Sequence, residues 1–156
     1  MASDVQLSTT RDGTTWTAPR RVPIASTSST ADHFAPGLGV DPASWDAEAR
    51  IGLTYAYYPN ANCTVSTCQL NYGFISSTNA GASWSTPARI AGPMSLSWLP
   101  QTAAGPMFAD ALTTVVTYNG NAMVLLPVAS APSGGQYNQA MYAPISGIPL
   151  TGGTQR

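Results

Sequence analysis

The chain contains no lysine, a single glutamate (Glu48) and a single histidine (His33); charged residues make up 8% of its 156 positions, with a formal net charge of -1. So little positive charge removes the electrostatic footprint that holds a phosphate backbone or an anionic lipid surface, and neither nucleic acid nor membrane is an expected partner. No apolar run approaches the roughly 18 residues of a membrane span, and Met1 to Thr10 lacks the charged start and apolar middle of a signal peptide. Two cysteines without a nearby histidine are too few for a closed zinc site, and no phosphate loop, zinc helix or dinucleotide fingerprint occurs, so no metal or cofactor is expected. Helical signals are nearly absent. The best of them, DPASWDAEAR from Asp41 to Arg50, offers little more than a turn and reads as a surface loop.

What is present is 44% hydrophobic content broken into short runs by 14 glycines and 13 prolines, with polarity supplied by Ser, Thr, Asn and Gln. That composition suits one domain of short strands joined by tight turns, an all-β fold. In RIGLTYAYY, Ile51, Leu53, Tyr55 and Tyr57 alternate with Gly52, Thr54, Ala56 and Tyr58. In QLNYGFIS, Leu70, Tyr72 and Phe74 alternate in the same way. This is the period of a strand with two different faces, and the two runs read as a hairpin. Cys63 and Cys68 lie in the connection, where a disulfide would clip the hairpin and restrict the unfolded chain by about 2 kcal/mol in an oxidising compartment; free thiols are the alternative. With HFAPGLGVD before the hairpin, whose Gly and Pro suggest close packing and a bend, and STPARIAG after it, residues 34–91 read as a four-stranded meander. A similar order restarts with PMFADAL and continues through TTVVTY, AMVLLPVAS and QAMYAPIS. DVQLS and APRRVPI read as the last two strands of an incomplete unit at the N-terminus.

One polar turn is written twice. TTRDGTTW (Thr9 to Trp16) and STNAGASW (Ser77 to Trp84) share Thr10/Thr78, Gly13/Gly81 and Trp16/Trp84, and the likeness runs on through Pro19/Pro87, Arg21/Arg89 and Val22/Ile90. Meandering units of this length, with the same turn after corresponding strands, point to a propeller rather than an immunoglobulin-like sandwich. The expected architecture is a partial β-propeller of about two to three four-stranded antiparallel blades: a partial blade over 1–30, a full blade over 31–92 and a further blade over 93–156. Unpaired strands at the ends would let copies assemble edge to edge as a homo-oligomer.

The two turns resemble the Asp-box, or BNR, repeat of sialidases and related propellers, Ser/Thr-x-Asp-x-Gly-x-Thr-Trp. The second copy supplies Ser77, Asn79, Gly81, Ser83 and Trp84, with Asn in place of the acid. The first supplies Thr9, Gly13, Thr15 and Trp16, with Arg11 in the acid's place and Asp12 one residue later. The resemblance implies a structural role for these residues, each turn latching its blade while its Trp packs against apolar neighbours. The longer run from HFAPGLGVDP through AGPMSLSWLP is similar to secreted bacterial BNR-repeat, glycosyl-hydrolase-like proteins. The implied setting is extracellular or periplasmic, and the implied partner is a glycan or polysaccharide.

Sialidase chemistry would use three arginines, a Tyr–Glu pair and an Asp; no Arg-Ile-Pro motif accompanies the arginines here, and one glutamate is thin supply. General glycoside hydrolysis needs two carboxyl groups. Asp32, beside His33, and Asp110, at the matching place in the next unit, are the candidates, with His33 as a possible base; Asp41 is a further carboxylate. Tyr55, Tyr57 and Trp98 are candidate sugar platforms and Arg50 a candidate substrate contact. The competing readings are that these residues cap turns and fill the core, and that the chain is a non-catalytic carbohydrate- or protein-binding or assembly module, or part of a larger propeller.

Overall fold

Strand formation follows the alternation almost residue for residue. The computed structural model describes residues 3–108 and 112–152, and among them every regular element is a strand or a single 3-10 turn. Two short strands, β1 (Gln6–Leu7) and β2 (Arg20–Arg21), pair antiparallel around the first polar turn. The central sheet is β3 (Asp32–Val40), β4 (Ile51–Tyr58), β5 (Gln69–Ser77) and β6 (Ala88–Ser95), in the order 3-4-5-6, so residues 34–91 form the expected meander. Cys63 and Cys68 are bonded across the β4–β5 connection, their Cα atoms 5.0 Å apart. The 41–50 segment is a loop, exposed from Trp45 to Glu48, with a 3-10 turn at Asp46–Glu48.

Beyond Ser95 the chain departs from the expected pattern. Of the described part of PMFADAL only Pro106 lies in a strand: β7 (Gln101–Thr102) and β8 (Gly105–Pro106) make a small hairpin of their own, and residues 109–111, Asp110 included, lie outside the described residues. Pro100 and Pro106 remove two ladder donors from this stretch, which favours an irregular connection over a sheet strand. The last sheet instead starts with β9 (Thr113–Val116), followed by β10 (Asn121–Ser133), β11 (Gln136–Tyr142) and β12 (Ile148–Pro149). β10 is its hub, pairing β9, β11 and β12, with β9 and β12 on opposite sides of it at Ala122.

The alternation in β4 and β5 predicts two faces, and both are buried, because the central sheet is sandwiched. Leu53, Tyr55 and Ile75 pack against Val5, Val22 and Ile24 beside β1 and β2. Ala56, Leu70, Tyr72 and Phe74 pack against Val116, Ala122, Val124 and Leu126 of the last sheet. Contact with the last sheet is close enough to dictate residue type. A Cβ on Gly37 or Gly39 of β3 would strike the backbone of Leu112 or Thr114, and Thr114 Oγ1 donates to the Gly37 carbonyl (2.8 Å) while lying 2.8 Å from Thr54 Oγ1. The glycines of HFAPGLGVD thus permit close packing, and the bend is a register shift between Phe34 and Gly37. Three antiparallel sheets are therefore stacked face to face, and none closes into a barrel among the described residues.

Candidate functional site

The two polar turns sit at corresponding places, each joining a pair of antiparallel strands. In the second, Ser77 Oγ accepts from the Gly81 amide (2.9 Å), Asn79 Oδ1 accepts from the Ser83 amide (2.8 Å), and Trp84 Nε1 donates to the Gly81 carbonyl (3.1 Å). In the first, Thr10 Oγ1 accepts from the Gly13 amide (3.0 Å), and Asp12 Oδ1 accepts from the amides of Thr14 (2.8 Å) and Thr15 (2.7 Å). Asp12, rather than the aligned Arg11, does the work of Asn79, and Thr10 rather than Thr9 does that of Ser77. The first turn is one residue shorter between its acid and its glycine. Gly13 and Gly81 both take positive φ (73° and 81°), open to glycine without the steric cost a Cβ would bring. The Thr15 and Thr14 amides hold the Asp12 carboxyl well below the usual carboxylate range.

The two tryptophans differ. Trp84 is half-buried against the cluster of Leu53, Tyr55 and Ile75, whereas Trp16 is 60% exposed. The cause is the width of the neighbouring sheets: β1 and β2 cover only part of the four-stranded sheet beneath them, so Leu38 and Val40 on β3 are left about half exposed. The uncovered strip, the first turn and the 41–50 loop enclose a cleft of about 1200 Å³. Trp16 lines one part of it and Trp45, 76% exposed, another, with Leu38, Val40, Thr9 and Thr10 between the same walls. Arg11 and Asp46, which also line it, neutralise each other in an ion pair of 2.6 Å. The cleft offers flat apolar rings and, besides the neutralised pair, one charged lining group, the Asp12 carboxylate held by the turn amides.

The sequence candidates for chemistry are placed elsewhere. Asp32 Oδ1 accepts from the Ser3 amide at 2.6 Å. His33 is 4% exposed, with Nδ1 3.3 Å from Asp4 Oδ1 and its ring against those of Tyr55 and Tyr57. Arg21 Nε donates to Asp4 Oδ2 at 2.6 Å, so Asp4, Arg21 and His33 gather where the N-terminal segment meets β3. Asp4 carries no signal in the sequence beyond being one of few acids; its pairing depends on the N-terminal segment meeting the start of β3, where the His33 amide donates to the Ser3 carbonyl. Tyr55 is buried and Tyr57 half-buried, and burial pushes both phenols up, with the Arg89 charge opposing the shift at Tyr57. Asp41 is buried, accepts from the Ala43 amide (2.9 Å) and meets Arg50 Nη1 at 3.2 Å; Arg50 also donates to the Gly120 carbonyl. Trp98 packs, half-buried, against the larger core. Asp32 and His33, successive residues of β3, turn to opposite faces and meet different partners, Asp110 lies outside the described residues, and Tyr55, Tyr57, Trp98 and Arg50 are not gathered into one cleft. Trp45 carries no signal in the sequence; it owes its importance to exposure, and only the packing of the sheets reveals that.

Among the described residues no helix is long and apolar enough to cross a membrane. Comparison with family models, curated proteins and solved structures finds no match to this chain.

Proposed function

We propose that this chain is a glycan-binding, sialidase-like propeller segment, its three stacked sheets being successive blades, and that the ligand lies in the cleft between the first polar turn and the 41–50 loop. The observation that carries the reading is the presence of two exposed tryptophans, Trp16 and Trp45, on the walls of one cleft. A sugar ring has an apolar C–H face and a hydroxyl rim. Exposed indole rings complement the first, and the polar residues of the first turn line the same cleft beside them. Pairing of Arg11 with Asp46 favours an uncharged oligosaccharide over an acidic one. The repeated turns and the 3-4-5-6 meander support the blade reading.

Titration with soluble neutral oligosaccharides tests this directly. Saturable binding is expected, weakened at least about tenfold in Trp45→Ala and in Trp16→Ala, a loss of about 1.4 kcal/mol or more. An absence of binding to any neutral glycan, or binding indifferent to both substitutions, overturns the proposal. Hydrolysis is the second reading, favoured by the Asp4 carboxylate beside His33, with Asp32 the preceding residue on β3. Sugar release that is lost in Asp32→Asn while binding persists would carry it; Asp110→Asn tests the partner carboxylate in the same assay.

A further inference from the structure

β11 is an unprotected sheet edge. It is exposed at every position from Gln136 to Tyr142 and, among the described residues, it pairs with β10 alone. The direction of its backbone groups can be read from its neighbour. The Pro127 carbonyl accepts from the Tyr72 hydroxyl at 3.0 Å, and the Ala129 amide points to Met94 Sδ at 3.2 Å, so both residues turn their backbone groups away from β11. Pro127 lies opposite Met141 and Ala129 opposite Gln139. Opposed residues in an antiparallel ladder exchange both hydrogen bonds or neither, so Met141 and Gln139 direct their N–H and C=O groups outward, and the period of two adds Tyr137.

Sheet edges in proteins are commonly blunted by lysine, proline or inward-pointing charge. β11 has none of these, and no charged residue occurs in the sequence between Asp110 and Arg156. We propose that β11 pairs antiparallel with β11 of a second copy about a two-fold axis through Gln139. That register sets Gln139 opposite the partner's Gln139 and Tyr137 opposite the partner's Met141. All three outward-facing residues then sit in hydrogen-bonded pairs, giving about six backbone hydrogen bonds across the axis. It also juxtaposes two half-exposed apolar side chains, Tyr137 (53%) and Met141 (57%), as a thioether–aromatic contact. A second copy is the occupant that fits, because the strand is self-complementary in this register and neutral, as an isologous contact requires. The pairing is independent of the glycan reading: the cleft and β11 belong to opposite sides of the central sheet.

Sedimentation velocity across a concentration series is the test. The wild-type chain is expected to show a reversible monomer–dimer equilibrium. Gln139→Lys and Gln139→Glu each place like charges face to face on the axis and are expected to weaken the dimer at least about tenfold. Position 139 is exposed, so both variants should keep the wild-type circular dichroism spectrum. Mixing them in equal amounts pairs Lys with Glu and is expected to restore the dimer. A wild-type chain that stays monomeric at every concentration, a dimer indifferent to both substitutions, or a failure of the mixture to recover would each overturn the proposal.

Discussion

Asp4 holds two elements with one carboxylate: Oδ2 accepts from Arg21 Nε on β2, and Oδ1 faces His33 Nδ1 on β3. The Arg21 hydrogen bond, with smaller help from the charges of Arg21 and His33 and against some burial, holds its carboxyl below the ordinary Asp value of 3.8. A folded-state pKa below the unfolded one means that the unfolded chain binds more protons across that interval. Asp4 therefore contributes stability that is complete above the unfolded value and is lost as pH falls through the folded one. Urea melts between pH 2 and 5 should show a shallower acid slope in Asp4→Asn than in wild type, and identical slopes would remove this linkage. Neither Asp4 nor the true role of Asp12 was legible in the residues. A one-residue shortening of the first turn put Arg11 in the acid's column, and only the hydrogen bonds to the Thr14 and Thr15 amides reveal which residue does the capping.

At the scale of elements the sequence was far more explicit. Period-two runs with polar turns between them mark β3 to β6 because alternation is enforced by the pleat itself, and the Cys63–Cys68 clip closes the hairpin where the spacing puts it. The missed elements lie after Ser95, where prolines interrupt the runs and the fold depends on partners remote in sequence. Gly73 shows how packing selects residues within a strand: it lies opposite Tyr55, and a Cβ there would run into the tyrosine ring. Gly73→Ala is expected to cost about 1–3 kcal/mol by overpacking. Truncating the ring should relieve it, so a double-mutant cycle with Tyr55→Ala is expected to show a favourable coupling of comparable size. Additive losses in thermal melts would mean that the ring swings aside at no cost.

The whole molecule is an asymmetric stack, and the cleft is a product of that asymmetry. No local pattern announces it, because Trp16 and Trp45 are ordinary turn and loop residues until a two-stranded sheet is laid over a four-stranded one. The same asymmetry divides stability unevenly. On one side β10 and its partners bury an extended apolar surface that includes Leu70, Tyr72 and Leu126; on the other, two strands of two residues each are held by Val5, Val22, Ile24 and the Asp4 contacts. Opening free energy scales with buried apolar contact, so the N-terminal sheet should detach in a sub-global step before the central sheet unfolds. Native-state hydrogen exchange is expected to show the Thr17 and Val22 amides, bonded to the Thr9 and Val5 carbonyls, exchanging by a lower-energy opening than the amides of Leu53 and Ile75. Val22→Ala, which removes a side chain only 1% exposed, should accelerate the N-terminal amides roughly tenfold or more. Val124→Ala in the larger core should accelerate the amides that exchange through global unfolding, such as those of Leu53 and Ile75, and leave the lower-energy opening of the N-terminal amides in place. A Val22→Ala variant that accelerates all amides equally would instead show that the three sheets unfold as one cooperative unit.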